Sequence, residues 1–141
     1  MRRFCWLSVL ICIVGCSSNE RNWKETIPVT GVVLVDGKPA EGVSVSFNPT
    51  AGMDVAQPTV TKAMTDKEGH FAATTYELGD GAPVGEYNVT FTWGKLNKLS
   101  MTFDGDAFNG KYSKPEKSAF TVTVGSGEPT DMGTIELSTG K

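Results

Sequence analysis

"TGVVLVDGKPAEGVSVSFNP", Thr30 to Pro49, holds two apolar runs on either side of a turn signal. Its second half alternates: Val43, Val45 and Phe47 interleave with Ser44, Ser46 and Asn48. Successive side chains of a strand point to opposite faces, so this pattern predicts a strand with one dry and one wet face. Val29 to Val35 is more uniformly apolar and suits a central strand. Between the two, Asp36-Gly37-Lys38-Pro39 sets Asp to cap its own backbone and Gly to take positive φ.

The same period of two recurs outward from this stretch. Tyr87, Val89, Phe91 and Trp93 alternate with Asn88, Thr90 and Thr92, and Phe120, Val122 and Val124 alternate with Thr121 and Thr123. Fainter strands are expected over Thr59–Thr65, His70–Tyr76 and Gly133–Ser138, with a further short one over Ser100–Phe103. Asp66-Lys67-Glu68-Gly69 is a second tight-turn signal. No stretch after the N-terminus carries helical spacing. About seven short strands separated by turn residues predict an all-β domain, a sandwich or partly open barrel.

The N-terminus has a different character. Arg2 and Arg3 precede Phe4–Val14, a run without charge and far shorter than the ~20 residues that span a bilayer. A basic start, a short apolar middle and a small residue at its end predict an export signal over residues 1–15. Cleavage there would remove Cys5 and Cys12 and leave Cys16 as the one cysteine, so the exported domain would have no disulfide. The remaining 126 of the 141 residues are enough for one core. Two of the 13 basic residues would leave with the signal, so 11 face 16 acidic ones, a net of −5. That balance argues against nucleic acid and offers no basic patch to anionic lipid. Residues 16–27, which include Trp23, are expected to form a polar tether, with Trp23 packed on the domain or resting at the lipid interface.

Two resemblances follow from these residues. Ile13-Val14-Gly15-Cys16 resembles the lipobox of bacterial lipoproteins. The resemblance implies cleavage between Gly15 and Cys16, a diacylglycerol on the Cys16 thiol and an acyl chain on the new amino group. The only prosthetic group implied is that covalent lipid, which would hold the protein to the cell envelope. Ser17 after the cysteine favours the outer over the inner membrane by the same family's rule. The stretch from Thr30 to Pro49, with "TDKEGHF" (Thr65–Phe71), "GEYNVTF" (Gly85–Phe91) and the closing Lys111–Leu137, resembles the carboxypeptidase regulatory-like domain. That family implies a Greek-key, transthyretin-like or immunoglobulin-like sandwich of about seven strands over residues 28–138. Its shared positions are turn glycines and core residues, which speak for fold rather than activity.

Catalytic chemistry is thinly supplied. His70 is the single histidine, and Cys16 would be consumed by lipid. A small hydrolase would need His70 beside an activated hydroxyl. The alternative is an exposed histidine at the end of a turn, on the opposite strand face from Phe71. Zinc would need further His or Cys ligands. The purine-catabolic branch of transthyretin-like proteins uses several histidines and a C-terminal signature ending in Ser, so its activity does not carry over. Carboxypeptidase activity belongs to a separate zinc domain. Neither a catalytic residue nor a metal site is expected.

Binding is the remaining question. Asp104-Gly105-Asp106-Ala107-Phe108-Asn109-Gly110 gathers Asp104, Asp106 and Asn109 in one loop. An EF-hand needs Gly at its sixth position and Glu at its twelfth, where this chain has Asn109 and Pro115, so a plain turn-rich loop is the simpler reading. Trp93 and Tyr112, with Tyr76 and Phe108, could stack on sugar rings, although Trp93 also continues the inward row of its strand. Lys111, Lys114 and Lys117 gather in the long run from Gly94 to Ser118, either as a basic spot for a partner or as solvated loop lysines. The sequence thus predicts a lipid-anchored, non-catalytic envelope module that is structural or meets a protein or glycan partner. A carbohydrate- or calcium-binding accessory is the alternative.

Overall fold

The computed structural model describes residues 21–140, so the signal over residues 1–15 and the lipidation site at Gly15 and Cys16 lie outside the described residues. Twelve strands run in chain order. The first six are β1 (Thr26–Ile27), β2 (Val29–Val35), β3 (Lys38–Pro39), β4 (Val43–Pro49), β5 (Thr61–Met64) and β6 (His70–Ala72). The others are β7 (Ala82–Pro83), β8 (Gly85–Trp93), β9 (Lys95–Asn97), β10 (Thr102–Asp104), β11 (Thr121–Val124) and β12 (Thr130–Leu137). A single 3-10 turn, Pro115–Lys117, is the one helical element among the described residues. None of it is long and apolar enough to cross a membrane.

Two sheets face each other across one core. The first has the order β11-β8-β4-β5, all antiparallel. The second is built on β2, which pairs in parallel with β12 on one side and antiparallel with β3 and β6 on the other. The seven strands expected from the sequence, β2, β4, β5, β6, β8, β11 and β12, form this sandwich. Of the five remaining pieces, β1, β3, β7 and β9 carry no period long enough to read, being two or three residues each. β10, at Thr102–Asp104, overlaps the short strand expected over Ser100–Phe103.

Alternation decides what is buried. The inward rows are Val43, Val45 and Phe47 on β4 and Tyr87, Val89 and Phe91 on β8, facing Val33, Val35, Phe71, Ile135 and Leu137 from the other sheet. Phe47 bridges the layers, tilted against Phe71 and edge-on to Tyr87. The β2–β3 turn adopts the shape its residues favour, with Asp36 at φ 50° and Gly37 at φ 79°. Positive φ at both central residues matches the right-handed twist of the paired strands.

Register gives the sandwich two ends. Val43 pairs with Trp93 and Pro49 with Tyr87, so β4 and β8 run in opposite directions across its length. β1 pairs with β7 just before β8 begins, and the loops 50–60 and 73–84 lie at that same β1 end. β8 carries the chain about 27 Å to the opposite end, at ~3.3 Å per residue. There the β9–β10 hairpin projects, beside the β2–β3 turn.

The stretch read as tether divides. Trp23 stacks on Tyr76 at 4.7 Å with the rings within 3° of parallel, Lys24 pairs with Asp54 at 2.7 Å, and Ile27 is buried. The segment from Trp23 onward therefore belongs to the domain's surface and core. Packing on the domain is the choice Trp23 makes, with 43 % of it still exposed.

Candidate functional site

Of the residues singled out for binding, Trp93, Asp104, Asp106, Phe108, Asn109 and Tyr112 lie toward the hairpin end, where they do unlike things, while Tyr76 lies at the β1 end under Trp23. Asp106 organises its own loop. Its Oδ1 accepts the backbone N–H groups of Trp93 and Phe108, both at 3.0 Å, and its Oδ2 accepts that of Gly110 at 2.8 Å. Partial burial pushes this carboxyl up, but the three N–H donors outweigh it and hold it below the ordinary aspartate value. Both oxygens are thereby committed to the backbone. Asn109 follows at φ 52°, its N–H on the Asp106 carbonyl, and serves as the left-handed residue of the turn. Asp104 stands apart on β10, exposed, with Asn97 Nδ2 at 3.3 Å and Thr102 Oγ1 at 3.2 Å. The three oxygen donors therefore do not converge. Among the described residues no group of three or more His, Cys, Asp or Glu side chains is disposed to hold a metal ion.

The aromatics form a chain. Trp93 tilts against Phe108 at 5.9 Å, Phe108 meets Tyr112 edge-on at 5.1 Å, and Tyr112 reaches Phe120 at 6.2 Å. Phe108 is buried, while Trp93 and Tyr112 are half-buried. The Tyr112 hydroxyl accepts the Ser138 N–H at 3.1 Å, and Lys111 Nζ lies 5.1 Å over its ring. Tyr112 thus fastens the long loop to the end of β12. Trp93 divides its ring between core and surface. Its Nε1 donates to the Glu41 carbonyl at 2.9 Å, and its free side helps to line a pocket of about 310 Å³ with Glu41, Lys95, Leu96, Phe103 and Ala107.

Leu96 and Phe103 of this pocket were not singled out by the sequence. They belong to the β9–β10 hairpin, whose tip carries Leu99 at 99 % and Met101 at 72 % exposure. The signal was present in "KLNKLSMTF", Lys95 to Phe103, where four large apolar side chains and two lysines sit in what reads as a loop. Phe103 turns inward because Gly42 makes room for it: a Cβ at Gly42 would collide with the Phe103 ring.

His70 lies elsewhere. It begins β6, exposed, on the opposite face from buried Phe71, in an open groove of about 1010 Å³ lined also by Val32, Lys62, Met64, Ala72 and Leu78. Its neighbour Asp66 spends Oδ1 on the N–H groups of Glu68 and His70, each at 2.9 Å. Among the described residues no hydrogen bond joins the His70 ring to a serine or carboxylate. Lys111, Lys114 and Lys117 do not act together: Lys111 donates to Ser138 Oγ at 2.9 Å, while Lys114 precedes the 3-10 turn and Lys117 ends it.

No family model matches the chain, and no curated protein matches it. Among solved structures, the crystal structure of (S)-allantoin synthase is 18 % identical with a TM-score of 0.42, over 82 % of this chain and 42 % of that one. A 9R-lipoxygenase from Cyanothece PCC8801 is likewise 18 % identical, with a TM-score of 0.40 over 80 % of this chain and 16 % of that one. The chain thus spans less than half the length of either. Likenesses of that size carry no argument about activity.

Proposed function

We propose that this chain is a lipid-anchored, non-catalytic module of the cell envelope, of the carboxypeptidase regulatory-like kind, which meets a protein partner through its hairpin end. The anchor is the lipid on Cys16, and the outer membrane is its proposed place. The observation that carries the partner reading is the β9–β10 hairpin, with Leu99 fully and Met101 largely in water beside the Trp93 pocket. Side chains of that size so exposed on a projecting tip suit contact with another macromolecule. The non-catalytic reading is supported by the way the candidate carboxylates are used, Asp106 and Asp66 being taken up by backbone amides.

A photo-crosslinking residue at Leu99, in the intact lipoprotein in cells, tests the partner. A discrete adduct is expected there, absent when the probe stands at Lys67 and lost when Met101→Asp is added. Equal yields at Leu99 and Lys67 would remove the reading. The anchor is tested apart from this: Cys16→Ser should release the protein from washed membranes, and the mass of the mature N-terminus should carry the lipid. A glycan partner is the second reading, favoured by the half-exposed Trp93 ring. It requires glycan binding that Trp93→Ala abolishes while the Leu99 adduct persists.

A further inference from the structure

Among the described residues, five exposed large hydrophobic side chains gather at the β1 end: Trp23, Met53, Val55, Val60 and Val84. They come from three separate segments, the strip before β1, the loop after β4 and the loops around β7. Val55 is 95 % exposed. Met53 and Val84 line one shallow hollow of about 330 Å³ together with Lys24 and Asp54. The one ion pair in that hollow is internal, Lys24 Nζ to Asp54 at 2.7 Å, and Asp54 Oδ1 also accepts the N–H groups of Ala56 and Gln57. The loop's charge is therefore answered within the protein.

We infer that this β1 end is a seat on the lipid bilayer, with Met53, Val55 and Val84 entering the surface of the membrane and Trp23 at the boundary with water. The inference rests on the proposed lipidation of Cys16. From Cys16 to Arg21, the first described residue, is five residues, which at ~3.5 Å each reach no more than ~17 Å. A lipid on Cys16 therefore holds the β1 end close to the bilayer, whereas the hairpin tip lies at the other end of β8. Unpartnered aliphatic side chains at the end where the chain leaves for the membrane have an apolar phase within reach. Tryptophan suits the rim, where its flat ring meets the acyl region and its N–H meets water. Glu86 lines the same hollow and Glu77 lies in the loop before β7, while Arg21 sits over the Trp23 ring. A seat with acidic neighbours fits zwitterionic rather than anionic headgroups.

The test uses the full lipoprotein reconstituted in phosphatidylethanolamine–phosphatidylcholine vesicles. Val55→Cys and Leu99→Cys place one nitroxide at each end, because Cys16 is alkylated and no other cysteine follows it. Both positions are exposed, so neither change disturbs the core. Expected is a several-fold loss of collision with an aqueous nickel chelate at Val55, with oxygen collision retained, and free access to nickel at Leu99. Equal nickel access at the two sites, in protein that floats with the vesicles, overturns the seat and leaves the anchor standing. Failure of the protein to float overturns the Cys16 reading and the seat with it. Shielding of Val55 that persists in vesicle-free Cys16→Ser protein assigns the surface to a second copy of the chain and overturns the lipid seat.

Discussion

The β1 end and the hairpin end are each tied off by one aspartate that spends its carboxylate on three backbone amides. At the β1 end Asp80 accepts the N–H groups of Thr75 at 2.7 Å, Tyr76 at 3.0 Å and Glu77 at 3.2 Å. At the hairpin end Asp106 does the same for Trp93, Phe108 and Gly110. What surrounds each carboxylate differs. Around Asp80 the chain is short and hydrogen-bonded within itself and back to β5, with Thr75 Oγ1 on the Gly81 carbonyl and Thr61 Oγ1 on Thr75. Around Asp106 the loop is long and held by rings, with Phe108 as its buried pin. The first loop is thus held by polar ties and the second by one buried ring.

The sharpest way to break this comparison is Phe108→Ala. Phe108 is 2 % exposed, and losing a buried ring costs about 3–5 kcal/mol. Amide exchange should rise across residues 94–118 while residues 73–81 stay protected. Equal opening at both ends would mean that the two loops are not independent.

Next in size are Asp106→Ala and Asp80→Ala, each expected to cost about 1–2 kcal/mol, a charged hydrogen-bond network discounted for partial exposure. Urea midpoints measure the loss. Asp106→Ala should cost more, since it also frees the Trp93 N–H at the end of β8. Both carboxyls are held below the ordinary aspartate value: burial opposes this at each, and the backbone N–H donors prevail. A depressed folded-state value means that the contribution is complete above the unfolded value and is lost as pH falls through the folded one. Stability should therefore be flat above about pH 5 and fall below about pH 4, and Asp80→Asn with Asp106→Asn should flatten that acid limb.

The smallest effects fall on the outermost side chains. Trp23→Ala should cost about 0.5–1.5 kcal/mol through its stack on Tyr76. Leu99→Ser should stay within about 0.5 kcal/mol, because its side chain touches little in the folded domain. A larger loss on thermal unfolding for Leu99→Ser would show that the hairpin tip is packed rather than presented.

Legibility followed the range of the forces involved. Alternation is local, so β4, β8 and β11 could be read from their own residues, as could the turn at Asp36 and Gly37. β5 and β6 proved shorter than Thr59–Thr65 and His70–Tyr76, because the bridge between Lys62 and Thr74 replaces a continuous ladder there. The β1–β7 pair could not be read at all: two residues meet two others more than fifty positions away. Asp106 was legible as an oxygen-bearing loop residue. That its partners are amides rather than a cation depends on how Asn109 and Gly110 turn the chain back. Trp93 followed its inward row only in part, since the row ends where the sheet ends.

The parallel pairing of β2 with β12 bears on how the protein comes to be folded. Val29 meets Thr130 and Val35 meets Leu137, so the central strand of one sheet waits for the last strand of the chain. A pairing over about a hundred residues is slow to close, because the whole intervening chain must first be gathered in. The β11-β8-β4-β5 sheet has all its residues by Val124, whereas the sheet built on β2 lacks one edge until Leu137 arrives, so the second layer closes last.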